Sequence, residues 1–151
     1  YQYRVQRTRE NFAEFAETIK DGKPEMQIKE LVKFVEGQLF KFSYFHGFVT
    51  QELRHTEHLK EELMGFYNTF TNKIDDVIKK GVASGVFTNA PKPEDVLTVL
   101  IGSSLFVIRN KNFYKMYVPG KEENYLTEAE KKIRTNLLIT IFALLGYNSD
   151  Y

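Results

Sequence analysis

Residues able to do polar chemistry are few and scattered. There are three histidines, His46, His55 and His58. His55 and His58 stand three residues apart with Glu52 and Glu62 nearby, so on a helix they would share a surface able to hold a metal. No second ligand pair appears elsewhere, and a solvated polar turn is the plainer reading; no metal is expected. His46 lies amid aromatics, where it could donate a hydrogen bond to a bound molecule or serve as a structural histidine. Glu61-Glu62 and Asp75-Asp76 are adjacent carboxylates. Neighbours on a helix point to different faces, so neither pair is a catalytic dyad. There is no G-x-S-x-G, no P-loop and no G-x-G-x-x-G after a strand. With no cysteine, the chain offers no thiol nucleophile, disulfide, thiolate-bound zinc or iron–sulfur cluster. Neither catalysis nor a cofactor is expected.

Charge is equally uninformative about a polar partner. Lys plus Arg number 21 and Asp plus Glu 20, a net charge of +1, which is not the basic field of a nucleic-acid binder. Arg4, Arg7 and Arg9 cluster at one end; they read as a linker-proximal helix start rather than a phosphate site. The distinctive feature is aromatic: 13 Phe and 9 Tyr with no Trp make up 15% of the 151 residues. Phe34, Phe40, Phe42, Tyr44, Phe45 and Phe48 crowd several faces of one helical segment. Facing Phe66, Tyr67 and Phe70 of the next segment, they could line a pocket for a flat, greasy molecule, or could simply be an aromatic core.

The elements that must position these side chains are helical throughout. Val5, Phe12, Phe15, Ala16 and Ile19 share one face of a first segment that stops at Asp21-Gly22, where Gly22 is expected as a left-handed cap. Pro24 opens a second segment carrying Met26, Ile28, Leu31, Val32, Val35, Leu39, Phe42 and Phe45 at helical spacing. Gly47 is expected to break it before a short piece from Phe48 to Arg54. Thr56 is the expected N-cap of a third segment with Leu59, Leu63, Phe66, Phe70, Ile74, Val77 and Ile78. Pro93-Glu94-Asp95 opens a fourth, Val96 to about Arg109, which is apolar nearly all round and so must be buried on most sides. A tyrosine-bearing loop follows. Thr127-Glu128-Ala129-Glu130 reads as a capping box for a fifth segment that ends at Gly146.

The sequence thus describes one all-α domain, residues 1–151, of five to six helices. Its uncharged apolar stretch from Val96 to Ile108 is 13 residues, too short to span a bilayer. The basic start is followed by no apolar leader, and a cytoplasmic protein is expected. The chain opens on Tyr1, and further sequence is expected upstream.

Ile78-Lys79-Lys80-Gly81-Val82-Ala83-Ser84-Gly85-Val86-Phe87, then Pro93-Glu94-Asp95 and Gly102, resembles the TetR (tetracycline-repressor-like) family. There the long seventh helix ends in Ile-x-x-Gly-x-x-x-Gly-x-Phe before an acidic helix start and a glycine within that helix. The second glycine would supply a left-handed turn and the phenylalanine would fold back on the core. The resemblance implies an effector-binding and homodimerising domain of a transcriptional regulator, usually a repressor. Its three-helix DNA-reading unit would lie upstream, so operator DNA would be a partner only through that missing part. A small hydrophobic or aromatic effector would bind among Phe42, Phe45, His46, Phe66, Tyr67 and Phe70, and the first helix would transmit the event. Ile101, Leu105, Ile108, Leu138, Ile141 and Leu145 would form a two-helix half of a dimer interface. The alternatives are a helical scaffold or adaptor with a solid aromatic core, and a lipid-carrying domain.

Overall fold

A computed structural model describes the backbone of residues 2–41 and 57–147 and the side chains of residues 10–41, 61 and 64–147. The described residues are helical, without strands: α1 (Gln2–Ile19), α2 (Pro24–Lys41), α3 (Glu57–Ala83), α4 (Pro93–Arg109), α5 (Lys111–Tyr114) and α6 (Tyr125–Leu145). Two 3₁₀ turns, Lys115–Tyr117 and Glu122–Asn124, join α5 to α6. The all-α reading therefore holds.

α2 lies at the centre, packed on α3, α4 and α6, with α4 also against α3 and α6, while α1 leans on α3. The periodicity explains the arrangement. α2 buries Ile28, Leu31, Val32, Val35 and Leu39, a stripe of three- and four-residue steps. α6 buries Tyr125, Ala129, Ile133, Leu137, Ile141 and Leu145, all four residues apart. α1 has the narrowest purchase: of residues 10–19, Phe12 and Ile19 alone are buried.

Two helix ends show how the chain is steered. Gly85 and Gly146 both have positive φ, 79° and 66°, the left-handed conformation in which a side chain would be strained. Gly85 reverses the chain so that Phe87 N–H donates to Gly81 O at 3.1 Å and the Phe87 ring folds onto Gly81. A Cβ at Gly81 would collide with that ring. Thus the glycine–glycine–phenylalanine pattern acts as its spacing suggests. The turn it makes then caps α6: Asn89 N–H donates to Leu145 O at 3.0 Å and the Thr88 hydroxyl to Gly146 O at 3.1 Å.

Two sequence expectations about caps need correction. Gly22 has no positive φ. Gly22 N–H still donates to Ile19 O at 3.0 Å, and two side chains add to it: Gln27 Nε2 donates to Ile19 O at 2.7 Å, and Lys80 Nζ donates to Gly22 O, just past the helix, at 2.7 Å. Side chains from α2 and α3 thus reinforce the backbone turn that ends α1. Thr127 does not cap α6 either, because that helix starts two residues earlier, at Tyr125 after Asn124, with no side-chain cap hydrogen bond. Tyr125 is buried and its hydroxyl donates to Val107 O at 2.8 Å, which draws the helix start inward. The expected break at Gly47, the piece from Phe48 to Arg54 and the Thr56 cap lie outside the described residues.

Candidate functional site

Five phenylalanines from three helices form one connected cluster. The Phe15 ring of α1 stacks on Phe34 of α2, centroids 4.6 Å apart at 14°. Phe12 of α1 meets Phe70 of α3 at 4.2 Å, and Phe70 meets Phe66 edge-on at 4.4 Å. Phe12 also lies 5.7 Å from Phe34. Tilted and edge-to-face pairs at these distances are worth about 0.5–1.5 kcal/mol each beyond the area they bury. The cluster holds α1 to the rest of the domain, since Phe12 is one of the two residues that α1 buries in its described half. Beside it, between α1 and α3, runs a groove of about 740 Å³ with Phe12, Ala13, Ala16 and Phe66 in its wall and Glu10, Glu17, Thr69, Asn72, Lys73 and Asp76 as its polar and charged groups. That volume falls in the range of small-molecule pockets.

The residues expected in a pocket are distributed differently. Phe66 and Phe70 belong to this cluster, with Phe70 in the core and Phe66 at the groove. Tyr67, one residue on, turns to the other side of α3, where it lines a second and wider groove of about 1180 Å³ between α3 and α4. Adjacent residues on a helix face different ways, so Phe66 and Tyr67 cannot serve one site equally. The Tyr67 hydroxyl has its pKa raised by burial. The groove it lines is mixed, with Asn68, Asn72, Asp75 and Lys79 along α3 facing Ile78, Val82, Leu97 and Ile101, and Asp75 and Lys79 are joined at 2.7 Å. Phe42, Phe45 and His46 lie outside the described residues, as do the side chains of His55, His58 and Glu62. Among the described residues no group of three or more His, Asp or Glu is placed to hold a metal.

Phe12, Phe15 and Phe34 were visible in the sequence as an apolar face and part of an aromatic crowd. The facing of Phe34 toward Phe70 was expected; the joining of Phe12 and Phe15 to them was not, because no local periodicity says which helices cross.

The expected interface residues divide as well. Ile101, Leu105, Ile108 and Leu138 are half-buried, packed against the core. Ile141 and Leu145 are 0% exposed. They complete the inner stripe of α6 and have no surface to offer a partner, so the placement of these two in an interface is corrected. The outward face is offset from them. On α6 it carries Thr135, Ile139 and Ala143; on α4 it carries Asp95, Thr98, Gly102, Phe106 and Arg109. Ile139 is 58% and Phe106 51% exposed. A Cβ on Gly102 would meet nothing within 4 Å, so this glycine serves no close approach inside the protomer. The expectation that α4 is buried on most sides is met on its inner sides alone.

A partly buried aromatic cluster, a helix-ending Gly81/Gly85/Phe87 turn and an exposed outward face on α4 and α6 occur together in one helical domain. The family profile described as "Tetracyclin repressor-like, C-terminal domain" matches residues 24–135, more than half of the chain. The chain belongs to this TetR-like family. No curated protein and no solved structure matches it. In TetR-like C-terminal domains the general role is regulatory, through ligand binding and dimerisation. Among the described residues no helix is long and apolar enough to cross a membrane.

Proposed function

We propose that this chain is the effector-binding and dimerisation domain of a TetR-like repressor, released from operator DNA when a small hydrophobic or aromatic ligand binds. The observation that supports this reading is the five-phenylalanine cluster, which holds α1 and whose Phe12 and Phe66 also wall the groove between α1 and α3. A ligand entering the groove between α1 and α3 would compete with Phe12 and Phe66 for the same contacts, and its binding energy would be expressed as a shift of α1. A conformational change follows a ligand only to the extent that the ligand prefers one state, and here the two states differ in the packing of α1. DNA-reading heads upstream of α1 would move with it. Half-sites must lie about one helical turn apart, so a small pivot of the two heads weakens operator binding. The outward faces of α4 and α6 would pair across a two-fold axis, small residues permitting close approach and Ile139 and Phe106 supplying apolar area.

The well-packed state of Phe70 within the cluster favours a second reading, a helical scaffold with a solid aromatic core. A thermal-shift screen of hydrophobic and aromatic compounds separates the two. On the effector reading a ligand raises Tm, alters hydrogen exchange along α1, and loses its effect in Phe66→Ser. No shift across the screen, or exchange changes confined to the α3–α4 groove with α1 untouched, overturns the proposed site.

A further inference from the structure

Charge is segregated along one part of the chain. From Val96 to Lys121 there is no acidic residue, although the chain holds 20 in all. The same stretch carries Arg109, Lys111, Lys115 and Lys121, all of them exposed. Lys111 bridges Glu122 at 3.5 Å, and the exposed Glu122 and Glu123 mark the far edge of the basic stretch. Arg109, Lys115 and Lys121 pair with no acid among the described residues.

The short elements among these cations are apolar yet pack nothing into the core. α5 and the 3₁₀ turn Lys115–Tyr117 bury no residue. Phe113 is 49%, Met116 66% and Tyr117 54% exposed. Phe113 meets Tyr117 at 5.3 Å, and the Phe106 ring of α4 backs Phe113 edge-on at 6.2 Å. The segment is pinned from behind. Lys132 Nζ donates to Tyr117 O at 2.7 Å and lies 5.3 Å from the Tyr114 ring, and Asn110 Nδ2 donates to Phe106 O at 2.9 Å. Contiguous exposed apolar groups on a rigid support mark an interaction surface.

We propose that this surface docks on an anionic lipid bilayer, lying on it without crossing it. Phe113, Met116 and Tyr117 enter the headgroup boundary, and Arg109, Lys115 and Lys121 meet the lipid phosphates. The charge pattern chooses the sign of the partner. Cations without acids complement an anionic surface, and each is worth roughly fivefold in binding beside one. The shape chooses lipid over an acidic protein. A knob that projects its apolar groups needs a partner that yields around it, and fluid headgroups do so without a matching groove. Apolar insertion and basic attraction are also the pair of signals that reversible membrane attachment combines. This proposal goes beyond effector sensing, and neither reading depends on the other.

Flotation of the chain with lipid vesicles tests it, comparing phosphatidylcholine alone with vesicles of about one-third phosphatidylglycerol. Binding should be about tenfold tighter or more on the anionic vesicles and should fall in high salt. K115E/K121E and F113S/M116S should each weaken it by about tenfold. The circular-dichroism melt of each variant should match wild type, because all four side chains are exposed. No binding, or equal binding to both kinds of vesicle, overturns the proposal. Indifference to K115E/K121E does so as well. Binding unchanged in F113S/M116S overturns lipid insertion, and its displacement by polyglutamate then gives the surface to an acidic protein.

Discussion

Arg134 of α6 donates its Nε–H to a carboxylate oxygen of Glu36, a residue with no solvent exposure midway along α2. Its Nη2 bonds Glu130 Oε2 at 2.9 Å, so one guanidinium serves two carboxyl groups. The other oxygen of Glu36 is buried without a hydrogen-bond partner. Burial raises the Glu36 pKa from the ordinary 4.5 to about 7, outweighing the lowering by Arg134, with Glu130 adding to the rise.

The sign of the pH dependence follows. A carboxyl that binds its proton more tightly when folded contributes most to stability below pH 4.5, and the contribution is lost as pH rises to about 7. Above that it is constant. Thermal unfolding between pH 4 and 9 should show this decline, and Glu36→Gln should remove most of it. The Gln variant should be more stable than wild type at pH 8, by about 1–3 kcal/mol, and near it at pH 5. An unchanged pH profile in the variant would place the titration elsewhere.

Removing Arg134 does the opposite. Arg134→Ala leaves a buried carboxylate without its cationic partner, a loss of about 3 kcal/mol where Glu36 is ionised. The loss should shrink below pH 5, where the carboxyl is protonated. Chemical denaturation at pH 8 and pH 5 measures both values.

Two glycines in helices should respond in opposite ways to alanine. Gly37→Ala meets nothing within 4 Å and should stabilise by about 0.5–1 kcal/mol through helix propensity. Gly81→Ala meets the Phe87 ring, and the displaced ring should outweigh the propensity gain, with a net loss of about 1–3 kcal/mol. Denaturant midpoints of the pair check the claim that Phe87 occupies the space of the missing Cβ.

Inner and outer faces of α6 should separate by readout. Leu145→Ala removes buried core and should lower stability by about 2–5 kcal/mol. Ile139→Arg lies on the surface, so the monomer fold should change by less than ~0.5 kcal/mol while self-association is lost. Melting curves and light scattering on both variants test the offset between the two faces.

Phe34→Ala removes the ring on which Phe15 stacks. Amides of α1 should then exchange faster while those of α6 keep their protection, since local opening follows the loss of few contacts. Uniform acceleration would mean that α1 does not open separately.

Local patterns in the sequence settle much of this protein. Pro24 and Pro93 open helices because proline lacks the N–H that a first turn leaves unpaired. The Gly81/Gly85/Phe87 turn is legible because a left-handed residue and a missing Cβ are properties of glycine itself. Stripes at three- and four-residue steps mark the helices and their buried sides wherever the other side is polar, as on α2. They fail where it is not. The second half of α6 is apolar nearly all round, so the sequence cannot tell Ile141 and Leu145, which are inside, from Ile139, which is outside; that choice belongs to the helices packed against it. The same holds for the phenylalanines. Each is marked as apolar by its type, but the meeting of Phe12, Phe15 and Phe34 with Phe66 and Phe70 depends on where three helices cross. Helix ends are also decided from a distance. Gln27 and Lys80 reinforce a turn at Gly22 that has no left-handed glycine, and the Tyr125–Val107 bond overrides a capping box at Thr127. Backbone geometry is encoded nearby in the chain, whereas which face is buried and what satisfies a helix end depend on contacts that only the tertiary structure brings together.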